Sequence, residues 1–227
     1  ESNRSSHEPL KVPAAMSETP AESAGSESEP KKRKRPRPGE RREQILQVLA
    51  GMLEQPGAER ITTAALAARL EVSEAALYRH FASKAQMFEG LIEFIEQTVF
   101  TLVNQITERE VAGHAQAAKV VAMLLHFGEK NPGMTRVMVG DALVYENERL
   151  LQRMNLFFDK IESVLRQSLR DGALGEGSST PGLDAQVQAA VLTAFVVGQL
   201  QRFTRSGFRR VPTDKLDACL SRMLFVA

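Results

Sequence analysis

Apolar side chains recur at three- and four-residue intervals from Ile45 onward, and no stretch alternates in the two-residue rhythm of a strand. Ile45, Leu46, Leu49, Met52 and Leu53 make the first stripe, which Pro56-Gly57 is placed to stop. A second helix is predicted over Thr63 to Leu70 with Thr62 or Thr63 as its N-cap, and a third over Glu74 to about His80 with Ser73 as its cap. Only Glu71-Val72-Ser73 separate the two. Ser83 can cap a fourth helix that carries Leu91, Phe94, Ile95, Thr98, Leu102 and Ile106. Residues 115–130 are apolar around most of the helical circumference, which marks a central helix, and Asn131-Pro132-Gly133 breaks it. A short helix over about 133–143 follows, then a long one over 145–171 and a Gly/Ser loop over 172–182. A strongly apolar helix over 184–206 and a last one over 213–225 complete the pattern. The expected fold class is all-α, with about nine helices.

Composition divides the chain. Residues 1–38 are rich in Ser, Glu, Pro and Lys and hold too little apolar surface to offset chain entropy, so they are predicted to be a disordered arm. Residues 39–84 carry the short helices and 85–227 a larger helical body. The net charge is only +1, yet residues 31–42, KKRKRPRPGERR, hold eight basic groups and one acid, whereas 84–227 hold 16 of each sign. A basic arm on a neutral body predicts a polyanionic partner near the N-terminal side; a nuclear-localisation signal and acidic membrane lipid are alternative readings, and the DNA backbone is preferred because the arm directly precedes the short helices. The single cysteine, Cys219, excludes an internal disulfide framework and fits a reducing cytosol. No run of about 18 apolar residues is present, so no membrane-spanning helix is expected. The first 30 residues lack the apolar stretch of a secretory signal.

Helix, three-residue turn, helix is the geometry of a helix-turn-helix, whose second helix offers its N-terminal residues to the major groove. Leu66, Leu70, Val72, Leu77 and Phe81 would pack the unit, leaving Ser73, Glu74, Ala75, Tyr78 and Arg79 on or beside the outer face. Arg79 can reach a phosphate or a guanine edge. Tyr78, His80 and Lys84 suit phosphate oxygens, which set register rather than sequence. Thr62 and Thr63, with the free N–H groups of their helix start, can hold a phosphate. Ala75 and Ala76 keep the surface low and can meet a thymine methyl. Spacing alone leaves two readings open, a DNA reader or an ordinary amphipathic helix pair.

The segment ITTAALAARLEVSEAALYRHFASKAQMFEGLI resembles the DNA-binding unit of the TetR family of bacterial regulators. The matching positions are Thr62-Thr63, Leu66-Ala67, Val72-Ser73, Leu77-Tyr78, His80-Phe81, Lys84 and Phe88. The family usually has Gly in the turn where this chain has Glu71, and a left-handed residue there would cost about 1 kcal/mol. Three segments, 73–96, 126–143 and 202–214, resemble the nucleoid occlusion branch of that family, with FGEKNPG the most telling run. That resemblance implies a cytoplasmic, nucleoid-associated homodimer on palindromic double-stranded DNA. It also implies that the DNA-bound form engages the C-terminal tail of the tubulin-like division protein FtsZ and antagonises its polymers. By motif position the tail groove would lie between the fourth and fifth helices, at Phe94, Met123, His126, Lys130 and Asn131. For Phe94 and Met123 taken separately, helical core spacing favours core packing.

A palindrome requires a symmetric dimer. Helices 184–206 and 213–225 are apolar beyond what one core face needs, and Val187, Val191, Phe195 and Leu220 are the expected dimer contacts. No cofactor or metal site is expected. The chain has no HExxH, GxSxG, P-loop or CxxC, and its histidines at 7, 80, 114 and 126 are scattered, so catalysis is not expected. The alternative is a ligand-responsive repressor, which would need a buried pocket in the body.

Overall fold

A computed structural model describes residues 39–55, 60–175 and 180–224 of the chain. Residues 1–38, with most of the basic run, and the Pro56-Gly57 stop lie outside the described residues. In chain order the helices are α1 (Glu40–Leu53), α2 (Thr63–Arg69), α3 (Glu74–Tyr78), α4 (Lys84–Arg109), α5 (His114–Lys130), α6 (Pro132–Met138), α7 (Glu148–Gly175), α8 (Pro181–Arg205) and α9 (Leu216–Leu224). A single 3₁₀ turn, Asp141–Leu143, precedes α7, and there is no strand among the described residues. The helix starts follow from local chemistry. The hydroxyls of Thr62, Ser73 and Ser83 accept the backbone N–H groups of Ala65, Ala76 and Gln86 at 3.1, 3.3 and 3.2 Å. Each such cap stabilises its helix by about 1 kcal/mol.

The core is built where α4, α5, α7 and α8 pack side by side. Ile92, Ile95, Val120, Phe157, Ile161 and Leu192 are fully excluded from solvent there. α7 and α8 lie along one another more extensively than any other pair. α4 is lashed to the start of α7 by charge: Lys84 pairs with Glu146, Glu89 with Arg149 at 2.5 Å, and Glu96 grips Arg153 through both carboxylate oxygens at 3.1 and 2.5 Å. The Glu96 carboxylate holds the Arg153 guanidinium charged, raising its pKa against the effect of burial.

Two glycine contacts set the ends of the bundle. At one end Gly172 of α7 crosses Gly113, the residue before α5, so closely that a Cβ on Gly172 would lie 2.3 Å from the Gly113 Cα. The Ser168 hydroxyl braces this crossing through the Gly113 N–H and C=O, at 3.4 and 3.3 Å. Gly172 is therefore a packing residue inside α7 and not the start of a loop. The connection expected over 172–182 is shorter than its glycines imply, since α7 runs through Gly175 and α8 begins at Pro181. At the other end Gly133 of α6 seats on α1, where a Cβ would lie 2.1 Å from the Ala50 carbonyl oxygen. Burial there raises the Glu54 carboxyl above its ordinary pKa, while the hydrogen bond it accepts from the Gly133 backbone pulls the other way. The single helix expected over 133–143 divides at Gly140, which takes φ 84° between α6 and the 3₁₀ turn.

Gly182–Arg205 is long and apolar enough to cross a membrane, with a mean hydropathy of 1.3. Gln186, Gln188, Gln199 and Gln201 interrupt it, and its inner face packs on α7.

Candidate nucleic-acid interface

α1, α2 and α3 form a small head around Leu49, Leu53, Leu66, Leu77 and Phe81, each 1% exposed. Burial of Leu77 and Phe81 fixes the rotation of the third helix. Ser73, Glu74, Ala75, Tyr78, Arg79 and His80 are consequently exposed, with Ala76 half-buried behind them. The side chains of Tyr78, Arg79 and His80 have no hydrogen-bond or ion-pair partner among the described residues and are free to meet a ligand. The two helices are tied across their turn by the Thr63 hydroxyl, which donates to a Glu74 carboxylate oxygen at 2.5 Å. Thr62 and Ser73 act as caps through their oxygens, which leaves each hydroxyl hydrogen available to a phosphate. α3 itself ends at Tyr78, and Arg79 is its C-cap, two residues earlier than the periodicity implies. Glu71 takes φ 55°, the left-handed turn conformation that a glycine would adopt without cost.

Arg42 closes the basic run of the arm in sequence, yet in the fold it belongs to the head. Its guanidinium lies 4.2 Å from the Phe81 ring centroid and donates to the His80 carbonyl at 3.1 Å. The cation thus clamps α1 over the end of the third helix, a contact across 38 residues that periodicity cannot show.

Lys84 needs correction. It is half-buried and paired with Glu146, with its ammonium 5.7 Å from the Phe88 ring centroid, so it is not freely offered to a phosphate. Glu146 lies 62 residues away, outside the reach of any local pattern. A phosphate at the start of α4 would have to compete with that carboxylate. Glu146→Gln is therefore expected to strengthen DNA binding severalfold, by no more than about 1 kcal/mol for a partly screened pair. Titration of wild type and variant with one duplex at fixed salt checks this; equal affinities would mean that Lys84 does not touch DNA.

Residues 45–91 match the model of bacterial regulatory proteins of the tetR family, and 113–225 match that of the tetracyclin repressor-like C-terminal domain. A nucleoid occlusion factor SlmA from Vibrio cholerae is 53% identical over 178 residues, covering 78% of this chain and 90% of that protein. A nucleoid occlusion factor SlmA from Vibrio atlanticus is 51% identical over 183 residues, covering 80% and 93%. The chain belongs to the TetR family, in its SlmA branch. The fold is shared more widely: the fatty acid degradation regulator FadR from Bacillus halodurans superposes with a TM-score of 0.68 at 13% identity, over 82% of this chain and 95% of that one.

Members of the TetR family bind DNA and act as dimers. Val187 and Val191 are 55% and 47% exposed on one face of α8, and Leu183 on the same stripe is 63% exposed. Phe195 is half-buried. This face is available to a second copy. Leu220 is not, because it is 6% exposed and packs into the protomer's own core together with Leu216 and Leu224. The apolar face of α9 turns inward.

The groove positions fall on two packed helices. Met123, His126 and Lys130 are spaced three and four apart along one side of α5, and Phe94 comes from the neighbouring α4. Phe94 and Met123 are half-buried, whereas His126 and Lys130 are exposed. Asn131 is occupied in part, since its amide donates to the Phe127 carbonyl at 2.8 Å and closes α5.

Proposed function

We propose that this chain is a DNA-dependent division inhibitor of the nucleoid. Its dimer reads palindromic DNA through Tyr78, Arg79 and the capped starts of α2 and α3. The DNA-bound form holds the C-terminal tail of FtsZ against α4 and α5 and antagonises FtsZ polymers. The observation that carries the second half of this reading is the composition of the α4–α5 face. Half-buried Phe94 on α4 and Met123 on α5 offer apolar contact, and Lys130 further along α5 is exposed, a set that suits an acidic peptide bearing apolar anchors. α6 connects this face directly to the head, because it follows Lys130 and seats on α1.

Lys130→Glu is expected to weaken FtsZ tail-peptide binding by about 1–2 kcal/mol, roughly five- to thirtyfold, and to leave operator binding unchanged. Fluorescence polarisation with a labelled tail peptide measures the first and a gel shift the second. Undiminished peptide affinity would remove α5 from the groove.

A cleft of about 510 Å³ lies between the later part of α4 and α7, lined by Val103, Asn104, Thr107, Val164 and Gln167 among others. Two of the polar groups in its lining are already engaged. The Gln116 amide at its wall already donates to the Thr107 and Glu110 carbonyls at 3.3 and 2.9 Å, and Ser168 is bound to Gly113.

A further inference from the structure

A second concentration of charge lies between α8 and α9. Arg202 and Arg205 end α8, Arg209 and Arg210 follow in the connection, and Lys215 precedes α9; all five are exposed. The same segment holds two acids, Asp214 and Asp217. Elsewhere on the body Lys119, Arg149 and Arg153 are each answered by a carboxylate, while among the described residues Lys130, Lys160, Arg166 and Arg222 are not but are scattered over α5, α7 and α9. None of Arg202, Arg205, Arg209 and Arg210 has one within ion-pair distance among the described residues. Cations in the last turn of a helix complement its dipole, which accounts for Arg202 and Arg205. Arg209 lies just beyond the helix and donates to the carbonyl of its C-cap, Ser206, whereas the Arg210 side chain makes no such bond.

The loop that carries them is held in one shape. The Ser206 hydroxyl accepts the N–H groups of Arg209 and Arg210 at 3.1 and 2.8 Å and donates to the Phe203 carbonyl at 2.8 Å. Arg209 Nε donates to the Ser206 carbonyl at 2.9 Å. Gly207 and Phe208 both take left-handed backbone, at φ 64° and 63°. A phenylalanine keeps that conformation only where its surroundings enforce it. Here the Phe208 ring meets Phe203 edge-on at 5.2 Å and lies 5.5 Å from the Arg136 guanidinium, whose Nε is buried with no hydrogen-bond partner.

The loop sits at the head end of the body. Leu200 packs over Gly128 near the end of α5, and the Thr213 hydroxyl donates to Glu129 at 2.5 Å. Arg136, under the loop, belongs to α6, which seats Gly133 on α1. One short helix therefore separates the arginines from the DNA-reading head, at the same end where Lys84 meets Glu146.

We propose that the α8–α9 loop is a second DNA-contacting element that binds the phosphate backbone through Arg202, Arg205 and Arg210. Arg209, tied to Ser206, positions its neighbour. In a symmetric dimer both copies present this loop at the head end, towards the duplex that both heads read. Arginine suits the task because its planar fork matches phosphate oxygens in pairs. Such contacts add affinity and carry no sequence information. The proposal rests on DNA binding by the head and assigns the body a share in it.

The test uses the full-length chain with Arg205→Gln and Arg210→Gln together, on a palindromic duplex recovered by selection on the wild-type protein and on its scrambled sequence. Affinity should fall by the same factor on both duplexes, and the slope of log affinity against log salt should flatten by about 0.9 for each phosphate no longer held. An unchanged slope in a variant with wild-type helicity and dimer mass overturns the proposal. A fall in acidic tail-peptide affinity without a change in slope also overturns it, and assigns the loop to that peptide. Arg79→Ala runs beside it: if this variant keeps full preference for the selected site, the failure lies with the head and not with the loop.

Discussion

Gly133→Ala is expected to destabilise the protein by about 1–3 kcal/mol, the usual cost of forcing extra atoms into a packed contact. Helix propensity alone gives the opposite sign, because alanine inside a helix is favoured over glycine by about 1 kcal/mol. The contact decides which effect wins. A Cβ on Gly133 would lie 2.1 Å from the Ala50 carbonyl oxygen and 3.0 Å from its carbon. These are backbone atoms of α1 and cannot swing aside as a side chain would. Either α6 moves away from the head or α1 bends. Gly51, one residue further along α1, is the control. Nothing lies within 4 Å of a Cβ placed there, so Gly51→Ala should stabilise by roughly 0.5–1 kcal/mol. Urea unfolding of the two variants checks the pair of signs. Stabilisation by both would show that α6 and α1 do not make this contact.

Two nearby residues of the third helix should fail in different ways. Arg79→Ala removes an exposed guanidinium with no partner among the described residues, so stability should stay within about 0.5 kcal/mol of wild type. Its DNA affinity should drop by about 1–3 kcal/mol if Arg79 meets a base edge, with relaxed preference at that position. Leu77→Ala removes a side chain that is 1% exposed, and the transfer and cavity terms together should cost about 2–5 kcal/mol of stability. Leu77 sits between α3 and the rest of the head, so its variant loses DNA binding only as it unfolds. Gel shift and thermal melting on both proteins separate the two effects. An Arg79→Ala protein with wild-type site preference would remove the residue from the interface.

The head was legible because its rules are local. Thr62, Ser73 and Ser83 each act as the N-cap their position foretold, and Leu77 and Phe81 are the anchors their spacing implied. Glu71 adopts the left-handed turn that its place in the helix-turn-helix requires. The misreadings of Lys84, Gly172 and Leu220 arise from contacts between distant segments. Lys84 looks like a free phosphate ligand until the fold brings Glu146 to it. Gly172 looks like a helix stop until Gly113 is seen beneath it. Leu220 and Val191 are equally apolar in sequence, and only packing shows that the first faces the core and the second faces out. Periodicity reports that a helix has an apolar face; it does not report which neighbour covers it. The arginines between α8 and α9 were visible as letters, but their position beside the head was not.

The proposed role makes DNA the activator of tail binding, and the most direct measurement is the affinity of the full-length chain for a labelled FtsZ tail peptide in three conditions. These are no DNA, the selected palindromic duplex, and the same duplex scrambled, each at a salt concentration where the protein is a dimer. The selected duplex should tighten peptide binding severalfold relative to the scrambled one. Equal peptide affinity in all three conditions would contradict a DNA-dependent division inhibitor.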